Sequence, residues 1–431
     1  MAHTDYFLGI DFGTSGARIQ VIDAAGSMVL CEARHFGHLE EFERADVWRN
    51  ALWDLIAAMP ASIRAHLTAI AIDGTSGTVL ACDADLKPTH PPLLYNDDRA
   101  VDEAAQIQRI APPGHPVAAV TSGLAKILWL KRRLGLTGAR LYLNQADWLS
   151  GLLTERAGFT DYHNALKMGL DLDALAWPDW LAQLFDMTYL PRPVQPGSTL
   201  STVSPARARY LGVNPACGVR AGTTDSIAAF IAAGANQSGQ AVTSLGSTLV
   251  LKLLSDTCVE STEYGVYSHW YGDRWLAGGA SNAGGAVLRQ FFDDSQLASL
   301  SAAIDSTLPS SLDYLPLPRM GERFPISDPQ LAPRLTPRPA DDAAFLQGLL
   351  EGLARIEAQG YGLLRHLGAS PLIEVFSAGG GAQNDAWMSI RQRVLGLPVT
   401  RAEQTEAAYG VARLAREGPA IFHRTLQARQ A

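Results

Sequence analysis

Basic charge is scarce in this chain: 35 Lys and Arg stand against 43 Asp and Glu, for a formal net charge of −8. That balance excludes nucleic acid as the main partner, since a phosphate backbone demands clustered cations. Cysteine is rarer still, with four residues (Cys31, Cys82, Cys217, Cys258) and no paired spacing. A disulfide framework is excluded, and buried, reduced thiols are expected. No apolar run approaches the ~20 residues that span a bilayer, and no leader precedes Asp11. The expectation is a cytoplasmic protein with no membrane partner. The histidines show no metal-ligand spacing. A Gly-x-x-x-x-Gly-Lys-Ser/Thr segment is missing too, which argues against a P-loop kinase. With low-complexity sequence absent, 47% hydrophobic and 18% charged residues describe a folded globular chain. Its 431 residues suffice for two domains, each burying its own core.

What is present is one device used twice. An apolar strand over residues 6–10 runs into Asp11, then into Gly13-Thr14-Ser15-Gly16, and returns as a strand over residues 18–22. Small hydroxyl and glycine residues at such a tip expose backbone N–H groups and let a phosphate approach closely. Asp11 beside it can hold a divalent cation, since Mg²⁺ favours carboxylate and phosphate oxygen together. Later, residues 241–245 meet Gly246-Ser247-Thr248 and return over 249–251, and this recurrence points to two related halves. Before the second hairpin, Ala221-Gly222-Thr223-Thr224-Asp225-Ser226 leads into a small-residue helix from Ile227. An acidic residue thus sits near a helix N-terminus, where free N–H groups favour an anion. Finally, an apolar strand over 373–376 runs into Gly379-Gly380-Gly381 and a helix. Asn384 and Trp387 lie one turn apart there and can frame a base.

Together, and in this order, these segments resemble the FGGY family of carbohydrate kinases over nearly the whole chain. Further matches are Ile72-Asp73-Gly74-Thr75-Ser76-Gly77-Thr78, Leu94-Tyr95-Asn96-Asp97-Asp98-Arg99 and Ala125-Lys126-Ile127-Leu128-Trp129-Leu130. Within the family, Gln145-Ala146-Asp147-Trp148-Leu149 and Asp161-Tyr162-His163-Asn164-Ala165-Leu166-Lys167 look most like the short D-ribulose kinase branch of cyanobacteria and plants. The resemblance implies an α/β fold of two ribonuclease-H-like (actin-like ATPase) domains with a central cleft, divided as residues 1–230 and 231–431. It implies ATP and Mg²⁺ as cofactors, Asp225 as catalytic base and sugar contact, and Asp11 as metal ligand and sugar contact. ATP contacts are expected from Gly13, Thr14, Ser15, Gly246, Ser247, Thr248, Gly380, Gly381, Asn384 and Trp387.

Sugar contacts are expected from Thr75, Ser76 and Tyr95. Xylulose kinases carry a larger Met-His pair where this chain resembles them with Thr75-Ser76, and relatives often carry a tryptophan at the place of Tyr95. The smaller polar pair favours a ketopentose, D-ribulose first, phosphorylated on its primary hydroxyl. The alternatives are xylulose or another polyol or sugar and, in a different class, an actin-like conformational ATPase with no sugar substrate. A homodimer is left open. The family's first signature is matched only in part at Ser122-Gly123-Leu124-Ala125-Lys126, and the second is degraded near residues 349–354. The chain is short for the family, with the missing length expected over residues 297–339.

Strands are expected at 6–11, 17–23, 27–33, 68–73 and 77–83, and helices at 46–59, 100–111, 121–135, 144–154 and 341–367. The proline-rich stretches 191–197 and 315–339 read as ordered surface connections. Gly348, Gly352 and Gly360 in the long helix allow close helix packing, at about 1 kcal/mol of propensity each. Each site residue also has a plainer reading. Asp11 can cap a turn, Asp225 can cap its helix, Ser76 can shape a turn, Tyr95 can be core and Trp387 can be helix packing. Asn96 to Arg99 can form a hydrogen-bonded corner, and Asp147 and Trp148 read as structural.

Overall fold

Each repeated hairpin begins a sheet. The computed structural model describes residues 5–113, 115–135 and 140–423. These divide into two compact units, one running to Ala232 and taking in Glu406–His423, the other Ala233–Thr405. Among the described residues no helix is long and apolar enough to cross a membrane.

In the first unit, strands Tyr6–Phe12 and Gly16–Asp23 pair antiparallel, with Asp11 opposite Arg18. Strand Met28–His35 extends one edge. Strand Leu67–Gly74 joins the other side in parallel and sets Asp73 level with Asp11. Thr223–Thr224 runs parallel to Asp73–Gly74, and the next residue, Asp225, opens helix Asp225–Ala233. Alternation along the strands decides the faces. Leu8, Ile10 and Phe12 enter one core with Leu52, Ile56 and Trp148. Phe7, Ile22, Ala69 and Ala71 meet Ala228, Val411 and Ala412 in another. Helix Ala407–Glu417 covers this second face closely because Gly9 has no side chain: a Cβ there would lie 2.1 Å from the Ala408 carbonyl oxygen. Gly410 is equally constrained, its Cβ falling 1.9 Å from the Ala228 carbonyl oxygen. The units therefore differ from a contiguous division at residue 231, because this last helix packs on the first sheet.

In the second unit, Gln240–Leu245 and Leu249–Ser255 form the second hairpin. Glu374–Ala378 lies parallel beside its first strand, and Val399–Arg401 lies parallel beyond that. Arg274–Ala280 and Tyr267–Tyr271 extend the antiparallel side. Both sheets thus carry an antiparallel hairpin flanked by a parallel strand. Helix Asp342–His366 joins the core through Leu346, Leu349 and Leu353. Its glycines do not meet another helix, as the sequence suggested. A Cβ at Gly348 would lie 2.8 Å from the Tyr314 ring, at Gly352 2.7 Å from the Pro316 ring, and at Gly360 2.8 Å from Leu251.

The other expected helices stand at Arg44–Ala58, Val101–Gln108, Gly123–Leu134 and Gln145–Thr154. Three further expectations are corrected. Stretch 191–197 contains a strand, Arg192–Val194, paired in parallel with Phe159–Asp161. The helix expected from Ile227 begins at Asp225, which is its first residue and not its cap. Cys82 and Cys217 are buried, whereas Cys31 and Cys258 are exposed; none of the four forms a disulfide among the described residues. Asp147 and Trp148 are structural as read: Asp147 closes a capping box with Asn144, and the Trp148 indole donates to the Leu86 carbonyl at 2.8 Å.

Candidate active site

Open α/β sheets bind ligands at the carboxyl ends of their parallel strands. In the first unit those ends carry Asp11, Asp73 and Asp225, aligned by strand register. Asp73 is fully buried, and neither of its carboxyl oxygens has a hydrogen-bond partner within normal limits. Burial first, then the Asp11 and Asp225 carboxylates, holds its pKa well above the usual range, so it favours the neutral acid. Burial also raises the pKa of Asp11, against the opposing pull of the Asp73 carboxyl and the Arg18 guanidinium. Arg18 is itself paired with Glu406. Asp225 sits in the first turn of its helix, where the dipole favours negative charge. Its Oδ1 accepts from the Ser226 N–H at 2.7 Å. Among the described residues no three His, Cys, Asp or Glu side chains form a metal-binding group. Mg²⁺ needs only one or two carboxylates once phosphate and water complete its shell, so Asp11 fits the expected role without such a group.

A buried polar network delivers Asp225 to this position. Asp161 Oδ1 accepts from the backbone N–H groups of His163 and Asn164, each at 3.0 Å. The Asn164 amide donates to Asp161 Oδ2 at 2.7 Å and to the Thr223 carbonyl at 3.2 Å. His163 Nδ1 lies 2.7 Å from the Thr223 hydroxyl. The sequence motif at 161–164 therefore fixes the strand that ends at Asp225, a role its residue types alone did not disclose.

The loop after Asp73 is clamped at three successive residues. Thr75 donates from its backbone N–H and its hydroxyl to Gln145 Oε1, each at 3.1 Å, and its hydroxyl lies 2.6 Å from that of Thr78. These bonds give Thr75, expected at the sugar, a role in holding the loop. The Ser76 carbonyl accepts from Lys167 Nζ at 3.3 Å, and the Gly77 carbonyl accepts from Lys126 Nζ at 2.8 Å. Among the described residues the Ser76 hydroxyl is buried with no partner, and so is that of Thr224 next to Asp225. Tyr95 is 42% exposed, which excludes its core reading. Asp97 and Arg99 form the plain corner: Arg99 Nε donates to Asp97 Oδ1 at 2.9 Å, and Arg99 pairs with Glu41 at 2.9 Å. At the hairpin tip, Thr14 and Ser15 are exposed and Gly13 is closed by its N–H to the Gly16 carbonyl at 3.0 Å.

The second unit holds a concavity of about 760 Å³. It is lined by Gly246, Ser247, Gly380, Gly381, Asn384 and Trp387, six of the residues expected at a nucleotide. Gly379 has φ +83°, and a Cβ there would lie 2.9 Å from the Leu245 carbonyl oxygen. A Cβ on Gly381 would fall 2.4 Å from Trp387 Cζ3. Trp387 is only 2% exposed, so its ring is a floor beneath the glycines and part of the core. Asn384 is the cap of helix Asp385–Leu395, accepting from the Trp387 N–H at 2.9 Å and donating to Ser301 Oγ at 2.8 Å. Both residues thus line the concavity while serving the helix cap and the core. Thr248 is absent from the lining; its carbonyl instead accepts from the Gly246 N–H at 3.2 Å.

The sequence reading missed the opposite wall, Gly285 and helix Asp294–Ala303 with Leu297, Ala298 and Ser301. The Gly284-Gly285 doublet was its signal: a Cβ on Gly284 would lie 2.6 Å from the Ser247 carbonyl oxygen. Substituting Val for Gly381 is expected to displace the Trp387 ring and raise the KM for ATP about tenfold or more, the equivalent of ~1.4 kcal/mol. Steady-state kinetics at saturating acceptor would show it, and an unchanged KM for ATP would remove this loop from the nucleotide site.

Beneath the concavity lies a fully buried ion pair. Arg391 donates from Nε and Nη2 to the two oxygens of Glu357, at 2.6 and 2.7 Å, and from Nη1 to Ser377 Oγ at 2.6 Å. Thr243 donates to Glu357 Oε1 at 2.6 Å. One cluster thus ties the hairpin strand, the strand before Gly379 and the helix after it.

Residues 6–232 match the family model of the FGGY carbohydrate kinase N-terminal domain, and residues 241–416 match that of the C-terminal domain. The xylulose kinase of Lactococcus lactis is 22% identical over 424 residues, covering 92% of this chain and 84% of that one. The gluconokinase of Bacillus subtilis is 22% identical over 313 residues, 68% of this chain and 60% of its own. The crystal structure of xylulose kinase from Rhodospirillum rubrum superposes with a TM-score of 0.83 at 19% identity, covering 97% of this chain and 92% of that chain.

Proposed function

The chain belongs to the FGGY family of carbohydrate kinases, ATP-dependent sugar kinases, and we propose that its acceptor is a ketopentose, D-ribulose first, phosphorylated on its primary hydroxyl to the 5-phosphate. Family membership sets aside the conformational ATPase. The observation that carries the sugar reading is the Ser76 hydroxyl, buried and unpartnered on a clamped loop. A hydroxyl in that state lacks a hydrogen bond that a sugar oxygen supplies, since it can both donate and accept. A small serine also leaves room that the larger pair of xylulose kinases would fill. The alternative within the class is xylulose, the substrate named for several relatives.

Charge favours a neutral sugar over a sugar acid such as gluconate. Two lysines bond this loop, Lys167 at the Ser76 carbonyl and Lys126 at the Gly77 carbonyl; burial lowers the pKa of each, and the Asp225 carboxylate opposes that at Lys167. Set against the Asp225 and Asp11 carboxylates at the strand ends, these two amines leave no net positive charge for a substrate carboxylate.

In the proposed reaction Asp225 takes the proton of the primary hydroxyl as that oxygen forms its bond to the γ-phosphorus. The bond from phosphorus to the β–γ bridging oxygen breaks, and ADP leaves. Asp11 would hold Mg²⁺, which supplies charge neutralisation at the phosphates. Thr14 and Ser15 offer hydroxyl and backbone donors at their hairpin tip, and Gly246 and Ser247 offer theirs at the nucleotide concavity.

A panel of D-ribulose, D-xylulose, pentitols, glycerol and gluconate, assayed by coupled ADP release with Mg²⁺, tests the reading. Preference for D-ribulose supports it; preference for gluconate or a flat profile overturns it. Replacing Ser76 with Ala is expected to raise the KM for the preferred ketose about 2- to 10-fold, the range of one neutral hydrogen bond, and to leave the KM for ATP unchanged.

A further inference from the structure

Lys167 carries more hydrogen-bonding capacity than its surroundings use. An ammonium has three donors, and the acceptor found for Lys167 Nζ is the Ser76 carbonyl at 3.3 Å. The neighbouring Lys126 shows what a committed structural lysine looks like here: it is fully buried and bonds the Gly77 and Thr121 carbonyls at 2.8 and 2.9 Å.

The position of Lys167 is fixed from both ends. Its carbonyl accepts from the Leu124 N–H at 2.9 Å, and its stem lies over Gly77, where a Cβ would come within 3.3 Å of Lys167 Cδ. Burial lowers the Lys167 pKa and the Asp225 carboxylate opposes that, while the neighbouring Lys126 amine is itself pushed down to about 7 by burial. The other neighbour of Lys167 is the loop carrying the buried, unpartnered Ser76 hydroxyl. A half-buried cation with spare donors beside an unsatisfied hydroxyl is costly unless something accepts from it.

We propose that Lys167 is a sugar-binding residue, its ammonium donating to an oxygen of the acceptor adjacent to the one bonded by Ser76. Together the two groups hold the open-chain sugar with its primary hydroxyl directed toward Asp225. The inference rests on the sugar-kinase reading of this loop and adds a specificity determinant to it.

The test uses the full-length protein as wild type and as Lys167→Met, Lys167→Arg and Lys126→Met. Two readouts are taken: the melting-temperature shift on adding D-ribulose, D-xylulose or gluconate without ATP, and steady-state kinetics. For K167M the expected result is a sugar KM raised about 10- to 100-fold, the range of a charge-assisted hydrogen bond. The sugar-induced melting shift should be lost, with the KM for ATP and the unliganded melting temperature unchanged. K167R should recover part of the sugar affinity, and K126M should lower the unliganded melting temperature. A K167M protein with wild-type sugar KM and melting shift overturns the assignment of Lys167 alone. Equal loss of stability in K167M and K126M, with both KM values moving together, also overturns it and leaves Lys167 a loop clamp. A wild type that neither shifts nor turns over with any sugar overturns the sugar reading along with it.

Discussion

Replacing Asp225 with Asn is expected to lower kcat about 10²- to 10⁴-fold, the contribution of a positioned general base, while ATP affinity stays within about twofold. The amide preserves the shape and can still accept from the Ser226 N–H, which the carboxylate now does at 2.7 Å. It cannot take up the proton of an alcohol. The bonds of His163 and Asn164 to Thr223, which position the preceding strand, do not involve the substituted carboxylate. Coupled ADP release gives kcat, and calorimetric titration with ATP gives affinity. Parallel loss of both would show that Asp225 serves the structure and not the proton transfer.

The largest stability effect is expected at Arg391. Changing it to Met leaves Glu357 fully buried without its bidentate partner, at a cost of about 3–5 kcal/mol. Ser377 and Thr243 would keep their geometry only in part, because both bond to this pair. Urea unfolding followed by tryptophan fluorescence measures the loss. The double variant Glu357→Leu with Arg391→Met should recover much of it, since an apolar pair carries no stranded charge. A single variant that loses under about 1 kcal/mol would place the carboxylate in contact with water.

Much of the site was legible because its parts are local. The hairpins at 11–16 and 246–248 and the triple glycine at 379–381 are short segments whose small residues have few other uses. What sequence reading could not supply is the partner of each polar atom. Thr75 looked available until Gln145, far along the chain, took its N–H and hydroxyl. Asn384 also serves the helix cap and Ser301, which take one of its two amide donors and one of its oxygen lone pairs. Asp73 lies within a motif of the sequence, but nothing local marks it as a buried acid level with Asp11; strand register does that. Glu357 and Arg391 lie on separate helices, and only tertiary packing joins them. No local signal tells which sheet receives the last helix, which packs on the first one.

The glycine seams at Gly9 and Gly410 bear on how the polypeptide is made. Phe7, Ile22, Ala69 and Ala71 are translated well before Val411, Ala412 and Ala415, which are part of their cover. During synthesis that oily surface is expected to stay partly bare until residues 407–417 emerge. A fragment ending at residue 232 would therefore depend on chaperones, and adding back 406–423 as a separate peptide should rescue its solubility.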